Sequence, residues 1–389
     1  MDKKTKSMIG IILIILLFCS NTPLSAVMMK NPFESIIFDS IAEEKHQPTD
    51  TPQTYIIDTP DDETITFTRF PGNKAPIIFV HGMGCNHRIF DLDKDHSLAR
   101  YLNGYGWDVW LLDLRTHDGD GDYKYSLGSD REYINRYWDF DNTLLKIDVA
   151  TGVNFVKQET DRQKIYLSGH SYGGYLAYAY AMILGEENLS GIITTGASPY
   201  ANTESFSERG REKRNNYGYI EGNKAFVRPD GKPYTHTPDY RLTHLISVLF
   251  WPLLDHSEST IFYEQTTPYS VQRKCLLLQD AEPAGVLVDM AYGRDPALYN
   301  GSMVDPQTLY DYSANLEKIT VPILFISGEK DPQDPAEYIY QAYENVSSSE
   351  KQYYCFKDHS HMDLLFAEDC NTHIFPKIHD WLQKQENKE

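Results

Sequence analysis

Residues 164–181 of the chain read "KIYLSGHSYGGYLAYAYA". This stretch joins a short, apolar, β-prone run at 165–167 to an Ala- and Leu-rich run at 175–184 that favours helix. Ser171 lies at the join, where the chain has to turn sharply. The glycines around it tolerate unusual backbone angles and let the helix pack closely on the strand. They are Gly169, Gly173 and Gly174.

The pattern at 169–173 is G-x-S-x-G in a strand–turn–helix context, which is typical of a nucleophile elbow. In such an elbow the serine hydroxyl is presented at the carboxyl end of a sheet strand. The sequence therefore predicts Ser171 as a catalytic nucleophile, provided that an acid and a histidine follow it in the order known for this architecture.

Strand-like runs alternate with helix-like segments along the rest of the chain, and residues 55–70 read as an edge hairpin around a turn at 59–62. Apolar residues repeat at helical spacing over 142–158. Alternation of this kind predicts an α/β fold with a mostly parallel sheet covered by helices on both faces. The remaining predicted strands are 76–80, 108–113, 164–168, 191–195, 321–327 and 352–356.

One long interval, 201–312, breaks this alternation. A structureless loop of that length does not fit a compact domain, so we expect an inserted, mainly helical cap. The core would then consist of residues 54–200 and 313–389. The most apolar stretch of the cap, 244–254, reads as its own core, and the alternative is a lining of an acyl pocket or a contact with a lipid surface.

The N-terminus has a basic start, an apolar run at 8–19 and small residues at 25–26. This layout predicts a signal peptide at 1–26 and export to the periplasm or the outside of the cell. The alternative is an uncleaved membrane anchor, although the run is shorter than the ~20 residues that span a bilayer. A polar extension, 27–53, would precede the core.

Four cysteines follow this segment, with their pairing left open, and no Cys/His spacing indicates zinc. They are Cys85, Cys275, Cys355 and Cys370.

A serine hydroxyl needs a base to remove its proton, and the base needs an acid to hold its tautomer. Asp331 follows the predicted strand 321–327 and is our candidate acid, with Asp334 as its rival. After the strand 352–356 come two histidines, of which we choose His361 as the base and keep His359 as the alternative. The histidine pair has too few further ligands to predict a metal site.

The negative oxygen of a tetrahedral intermediate needs hydrogen-bond donors. We predict the backbone N–H of Tyr172, the residue after the serine, as one donor. The second would come from the glycine-containing loop 81–85, where we choose Met83 N–H.

The formal net charge of −20 argues against nucleic acid as a partner, because phosphate binding depends on clustered Lys and Arg. The motifs imply no metal and no organic cofactor. The expected partner is a small-molecule ester or a lipid substrate.

Three stretches resemble the α/β-hydrolase superfamily, in its lipase and esterase branch that includes the acid lipases: "FVHGMGCNHRIFDLD", "WDVWLLDLRTHDGD" and "SHMDLLFAED". The likeness runs in patches over about 74–200 and 321–385 and does not cover the cap. It implies a triad of Ser171, Asp331 and His361. One departure is Arg115-Thr116-His117-Asp118, where family members commonly read RGHG.

These observations favour an exported serine hydrolase that cleaves carboxylic esters through a covalent acyl-enzyme. One alternative is a peptidase or acyltransferase on the same fold, because a fold does not name its substrate. The other is a non-catalytic binding domain, whose usual sign would be a missing triad residue or a bulky residue in the elbow.

Overall fold

The computed structural model describes residues 51–117, 138–200, 219–220, 225–226, 262, 266–276, 280, 282–294 and 299–388. The strands in this part of the chain are β1 (Gln53–Asp58), β2 (Thr64–Phe70), β3 (Pro76–Val80), β4 (Asp108–Asp113), β5 (Ile165–His170), β6 (Leu189–Thr195), β7 (Tyr219–Ile220), β8 (Ala225–Phe226), β9 (Ile323–Gly328) and β10 (Lys351–Phe356).

Eight of these strands form one sheet in the order β1-β2-β4-β3-β5-β6-β9-β10. The pairs β1–β2 and β2–β4 are antiparallel, and the pairs from β4 to β10 are parallel. The mostly parallel sheet and the edge hairpin are thus confirmed. Strands 76–80 and 108–113 have the predicted bounds, and the other four predicted strands differ by one or two residues at their ends.

The helices follow the strands as an α/β fold requires. They are α1 (Leu98–Gly104), α2 (Ala150–Thr160), α3 (Tyr172–Ala179), α4 (Tyr269–Leu276), α5 (Ala284–Gly293), α6 (Ala336–Asn345), α7 (Asp363–Phe366) and α8 (Phe375–Glu386). Shorter 3₁₀ and π-helical segments are His87–Phe90, Phe140–Val149, Tyr180–Leu184, Leu316–Lys318 and Cys370–Ile374.

The helix predicted over 142–158 begins earlier than expected. It starts with the π-helical segment Phe140–Val149 and continues as α2. The Asp139 side chain accepts hydrogen bonds from the N–H groups of Asn142 and Thr143, which is the geometry of an N-cap. This cap sets the start of the helical segment.

Apolar side chains cover both faces of the sheet. On one face, residues of α2 and α3 such as Val153, Val156 and Leu176 pack in one cluster with strand residues. On the other face, Leu102 of α1 and Ile378 of α8 belong to a second cluster. Because both faces are covered, β3, β4, β5, β6 and β9 are buried at every position.

Within 201–312 the structure describes the two-stranded ribbon β7–β8 and the helices α4 and α5. The apolar stretch 244–254 lies outside the described residues. So do the predicted signal peptide 1–26 and all but the last residues of the predicted extension 27–53. Among the helices that are described, none has the length and apolar character to cross a bilayer. The four cysteines carry free thiols, three buried and Cys355 exposed.

Candidate active site

The elbow at Ser171 is a strained turn between β5 and α3. Ser171 has φ 53° and ψ −119°, a backbone conformation that L-residues rarely adopt. Its N–H donates to Thr195 O at 2.8 Å, which ties the turn to the neighbouring strand β6. A Cβ on Gly173 would lie 2.0 Å from Val80 O, so only glycine allows α3 to approach β3 this closely. Ser171 is half-buried.

Asp331 and His361 come together although they are far apart in sequence. The His361 Nδ1 and Asp331 Oδ2 atoms lie 2.7 Å apart, and both residues are buried. The other carboxylate oxygen of Asp331 accepts the N–H groups of Gln333 and Asp334 at 2.8 and 3.0 Å, so the carboxylate is fixed in orientation. Burial lowers the pKa of His361, but the charge and hydrogen bond of Asp331, together with the charge of Asp334, outweigh burial and raise this pKa above its ordinary value.

The two rival residues have other partners. Asp334 accepts hydrogen bonds from Tyr175 Oη, Ser198 N and the Arg294 guanidinium. His359 has both ring nitrogens engaged, Nδ1 at 2.7 Å from Lys357 O and Nε2 at 2.9 Å from Asp369 Oδ1. Neither hydrogen-bonding pattern connects these residues to Ser171.

His170 links the elbow to His361. The two imidazole rings have centroids 4.7 Å apart, and His170 directly precedes Ser171. Burial and the nearby charge of His361 keep the pKa of His170 well below its ordinary value. A neutral His170 therefore lies beside the His361–Asp331 pair, and this pair lies beside the elbow.

The loop 81–86, called the oxyanion loop below, lies next to the elbow. A Cβ built on Gly82 would be 3.5 Å from Ser171 Cβ. Gly82 O accepts from Cys85 N at 3.0 Å and is 2.9 Å from His81 Nδ1. In a trans peptide the C=O and N–H groups point in opposite directions, so these contacts set the direction of Met83 N–H.

Tyr172 is the first residue of α3. The first N–H groups of an α-helix have no acceptor within the helix. The two predicted donors, Met83 N–H and Tyr172 N–H, thus belong to segments that meet at Ser171.

Three residues beside this site carried no recognisable sequence signal. Gly196 has φ +55°, and a Cβ there would lie 3.1 Å from His361 Nδ1. Asp280 and Glu282, from the inserted segment, contact the oxyanion loop. The glycine follows a predicted strand and has no motif of its own, and the two acids stand in a stretch without spacing or periodicity.

These groups can together support nucleophilic acyl transfer: a hydroxyl on a strained turn, an imidazole oriented by a carboxylate, and backbone donors nearby. In the part of the chain that the structure describes, no group of three or more His, Cys, Asp or Glu side chains is arranged to hold a metal ion.

Comparison with known proteins identifies the family of the chain. The sequence model described as "Alpha/beta hydrolase family" matches residues 77–371. Human lipase member M is 26% identical over 142 residues, which cover 33% of this chain and 32% of that protein. Human lysosomal acid lipase/cholesteryl ester hydrolase is 25% identical over 142 residues, covering 33% of this chain and 34% of that protein. The chain spans about a third of the length of these curated relatives.

A solved structure of a thermophilic esterase from Thermogutta terrifontis superposes with a TM-score of 0.55 at 17% identity, over 86% of this chain and 99% of that one. This likeness shows a shared fold. The sequence resemblance and the fold class expected from it are both confirmed. With the family match covering residues 77–371, the chain belongs to the alpha/beta hydrolase family.

Proposed function

We propose that the chain is a serine hydrolase that cleaves carboxylic esters, of the lipase or esterase type, with Ser171, His361 and Asp331 as its triad. The observation that carries this proposal is the 2.7 Å contact between His361 Nδ1 and Asp331 Oδ2 beside a serine on a strained elbow. The similarity to human lipases supports the choice of an ester substrate.

In the proposed reaction, Ser171 Oγ attacks the ester carbonyl carbon while His361 Nε2 takes the hydroxyl proton. Asp331 occupies Nδ1, so proton transfer falls to Nε2, and its charge stabilises the imidazolium. The carbonyl oxygen becomes negative and accepts from Met83 N–H and Tyr172 N–H.

The tetrahedral intermediate then collapses. The C–O bond to the alcohol breaks, and the alcohol leaves with the proton from His361. A water molecule attacks the acyl-enzyme with the same histidine as base, and a second collapse releases the carboxylic acid and restores Ser171.

For the substrate we propose an ester with an apolar acyl chain, with the inserted segment supplying lipid contact. We further propose that the protein is exported and that the N-terminal segment directs this export. The relatives' names support the acyl choice, and the basic and apolar pattern of residues 1–26 supports the export.

The experiment is hydrolysis of p-nitrophenyl esters of increasing chain length by the wild type and by Ser171→Ala. We expect hydrolysis that rises with acyl length and is abolished in the variant. Faster cleavage of aminoacyl amides than of every ester would replace the ester proposal by a peptidase. Full activity of Ser171→Ala would remove the nucleophile from the proposal.

A further inference from the structure

The inserted segment contacts the oxyanion loop through two acidic residues. Gly84 N–H donates to Glu282 Oε1 at 2.7 Å, and Gly84 O accepts from Asp280 N at 2.8 Å. Two residues further on, the Asn86 side chain donates to Asp280 Oδ2 at 2.8 Å. Both backbone groups of Gly84, the neighbour of Met83, are thus bound by a segment almost two hundred residues away in the chain.

Glu282 is buried, with 1% of its surface exposed. A carboxylate in such a place is costly unless a partner compensates its charge. His117 supplies that charge, with its Nε2 3.2 Å from Glu282 Oε1. Burial lowers the pKa of His117, but Glu282 and nearby Asp280 outweigh it and raise the pKa to about 9. Burial raises the pKa of Glu282, but His117 and the Gly84 N–H bring it below its ordinary value.

His117 in turn affects His81, whose ring centroid is 4.5 Å away. Burial and the positive charge of His117 lower the pKa of His81 to about 4. The hydrogen-bond network assigns the tautomer of the neutral ring: Nε2 accepts from Leu114 N at 3.3 Å, so Nδ1 carries the proton and donates to Gly82 O. This carbonyl belongs to the peptide whose N–H is that of Met83.

We propose that Glu282 is a positioning residue for the oxyanion hole: it holds the oxyanion loop from the inserted segment, directly through Gly84 N–H and indirectly through His117 and His81. The inference rests on the proposed function, because it assigns Met83 N–H a role in that reaction. Glu282 binds the loop and not the substrate, so its effect is on the alignment of the donor.

Two substitutions of similar size separate the hydrogen bond from the charge. Glu282→Gln and Glu282→Leu both remove the charge that faces His117, but only glutamine keeps an oxygen that accepts from Gly84 N–H. Removal of one oxyanion donor typically costs about 10²–10³-fold in kcat, and a misaligned donor should cost part of that. We expect Glu282→Leu to lower kcat about 10–100-fold with KM within about threefold, and Glu282→Gln to keep most of the kcat.

The control is Glu317→Ala, because Glu317 is an exposed carboxylate on the 3₁₀ segment Leu316–Lys318. This variant should leave kcat unchanged. Thermal unfolding of each variant shows whether it is folded at the assay temperature. If Glu282→Leu does not fold, Asp280→Ala replaces it, since this variant removes the bond from Asn86 and keeps the backbone bond to Gly84 O. We expect a smaller loss of kcat there, again at constant KM.

Unchanged kcat in folded Glu282→Leu would overturn the inference, and equal losses in the Leu and Gln variants would overturn its direct part, the bond from Gly84 N–H. Unchanged kcat in Asp280→Ala would do so where the Leu variant is unfolded. These outcomes are distinguishable from a failure of the proposed function, which would appear as full activity in Ser171→Ala.

Discussion

Gly196, at the end of β6, gives the sharpest test of how the proposed base is held. Its backbone has φ +55°, and a Cβ there would lie 3.1 Å from His361 Nδ1, 3.3 Å from His361 Cε1 and 3.4 Å from Asp331 Oδ2. The first two distances are shorter than ordinary van der Waals contact by a few tenths of an ångström. In Gly196→Ala the His361–Asp331 pair therefore has to shift by about that amount.

The magnitude follows from two separate costs. Left-handed backbone in a residue with a Cβ costs roughly 1–2 kcal/mol of unfolding free energy. A displacement of 1 Å in a catalytic group can cost about 10²-fold in rate, so a shift of a few tenths of an ångström should lower kcat about 4- to 10-fold.

The assay compares kcat on a p-nitrophenyl ester with the free energy of unfolding from urea titration. Gly301→Ala is the matched control, because Gly301 has φ +89° and a Cβ there would have no neighbour within 4 Å. Both variants should lose similar stability, but only Gly196→Ala should lose kcat. Equal kcat in the two variants would show that the His361–Asp331 pair is not packed against Gly196.

Three further predictions concern the acid, the base and pH. Asp331→Asn should lower kcat about 10⁴-fold by favouring the wrong histidine tautomer. Asp334→Asn disturbs the buried pair with Arg294 and should mainly lower the unfolding free energy, by about 3–5 kcal/mol. The reverse pattern in kinetics and urea titration would exchange the roles of the two aspartates. His361→Gln should abolish turnover while His359→Gln keeps kcat within about tenfold, since that ring bonds to Lys357 and Asp369; equal loss in both would contradict this. His361 must be neutral to accept a proton, and its pKa is raised, so kcat/KM should fall as the pH drops through a pKa above that of an ordinary histidine. A fall of kcat/KM only at pH values below the pKa of an ordinary histidine would count against His361 as the base.

Much of the sheet could be predicted because strands that are buried on both faces consist largely of apolar residues. Both β3 and β4 are buried at every position: β3 is apolar throughout, and β4 has the apolar run 109–112 between two buried aspartates, so the predicted bounds of both strands are confirmed. Strand β5 extends to His170, two residues beyond the prediction, because Gly169 and His170 pair with β6. Glycine and histidine have little strand propensity, so pairing with a neighbour decides this end.

The residues of the site likewise fall into those that the sequence predicts and those that it does not. The elbow, the aspartate and the histidine follow strands that a single sequence reveals, so their order narrows the acid and the base to two neighbouring candidates each. The contact between His361 Nδ1 and Asp331 Oδ2 in the structure separates this pair from Asp334 and His359. The roles of Glu282 and Asp280 could not be predicted from the sequence. Their contacts with the oxyanion loop are long-range, and a lone carboxylate in an irregular segment has the same local pattern whether it is buried against a histidine or exposed to water.

The role of Ser171 as the nucleophile is tested most directly by mass spectrometry of the intact protein and of its peptides after treatment with a fluorophosphonate. We expect one phosphonyl adduct per chain, located on Ser171, with slow labelling of His361→Gln and none of Ser171→Ala. An adduct on another residue, or a wild-type protein that hydrolyses esters without labelling at Ser171, would contradict it.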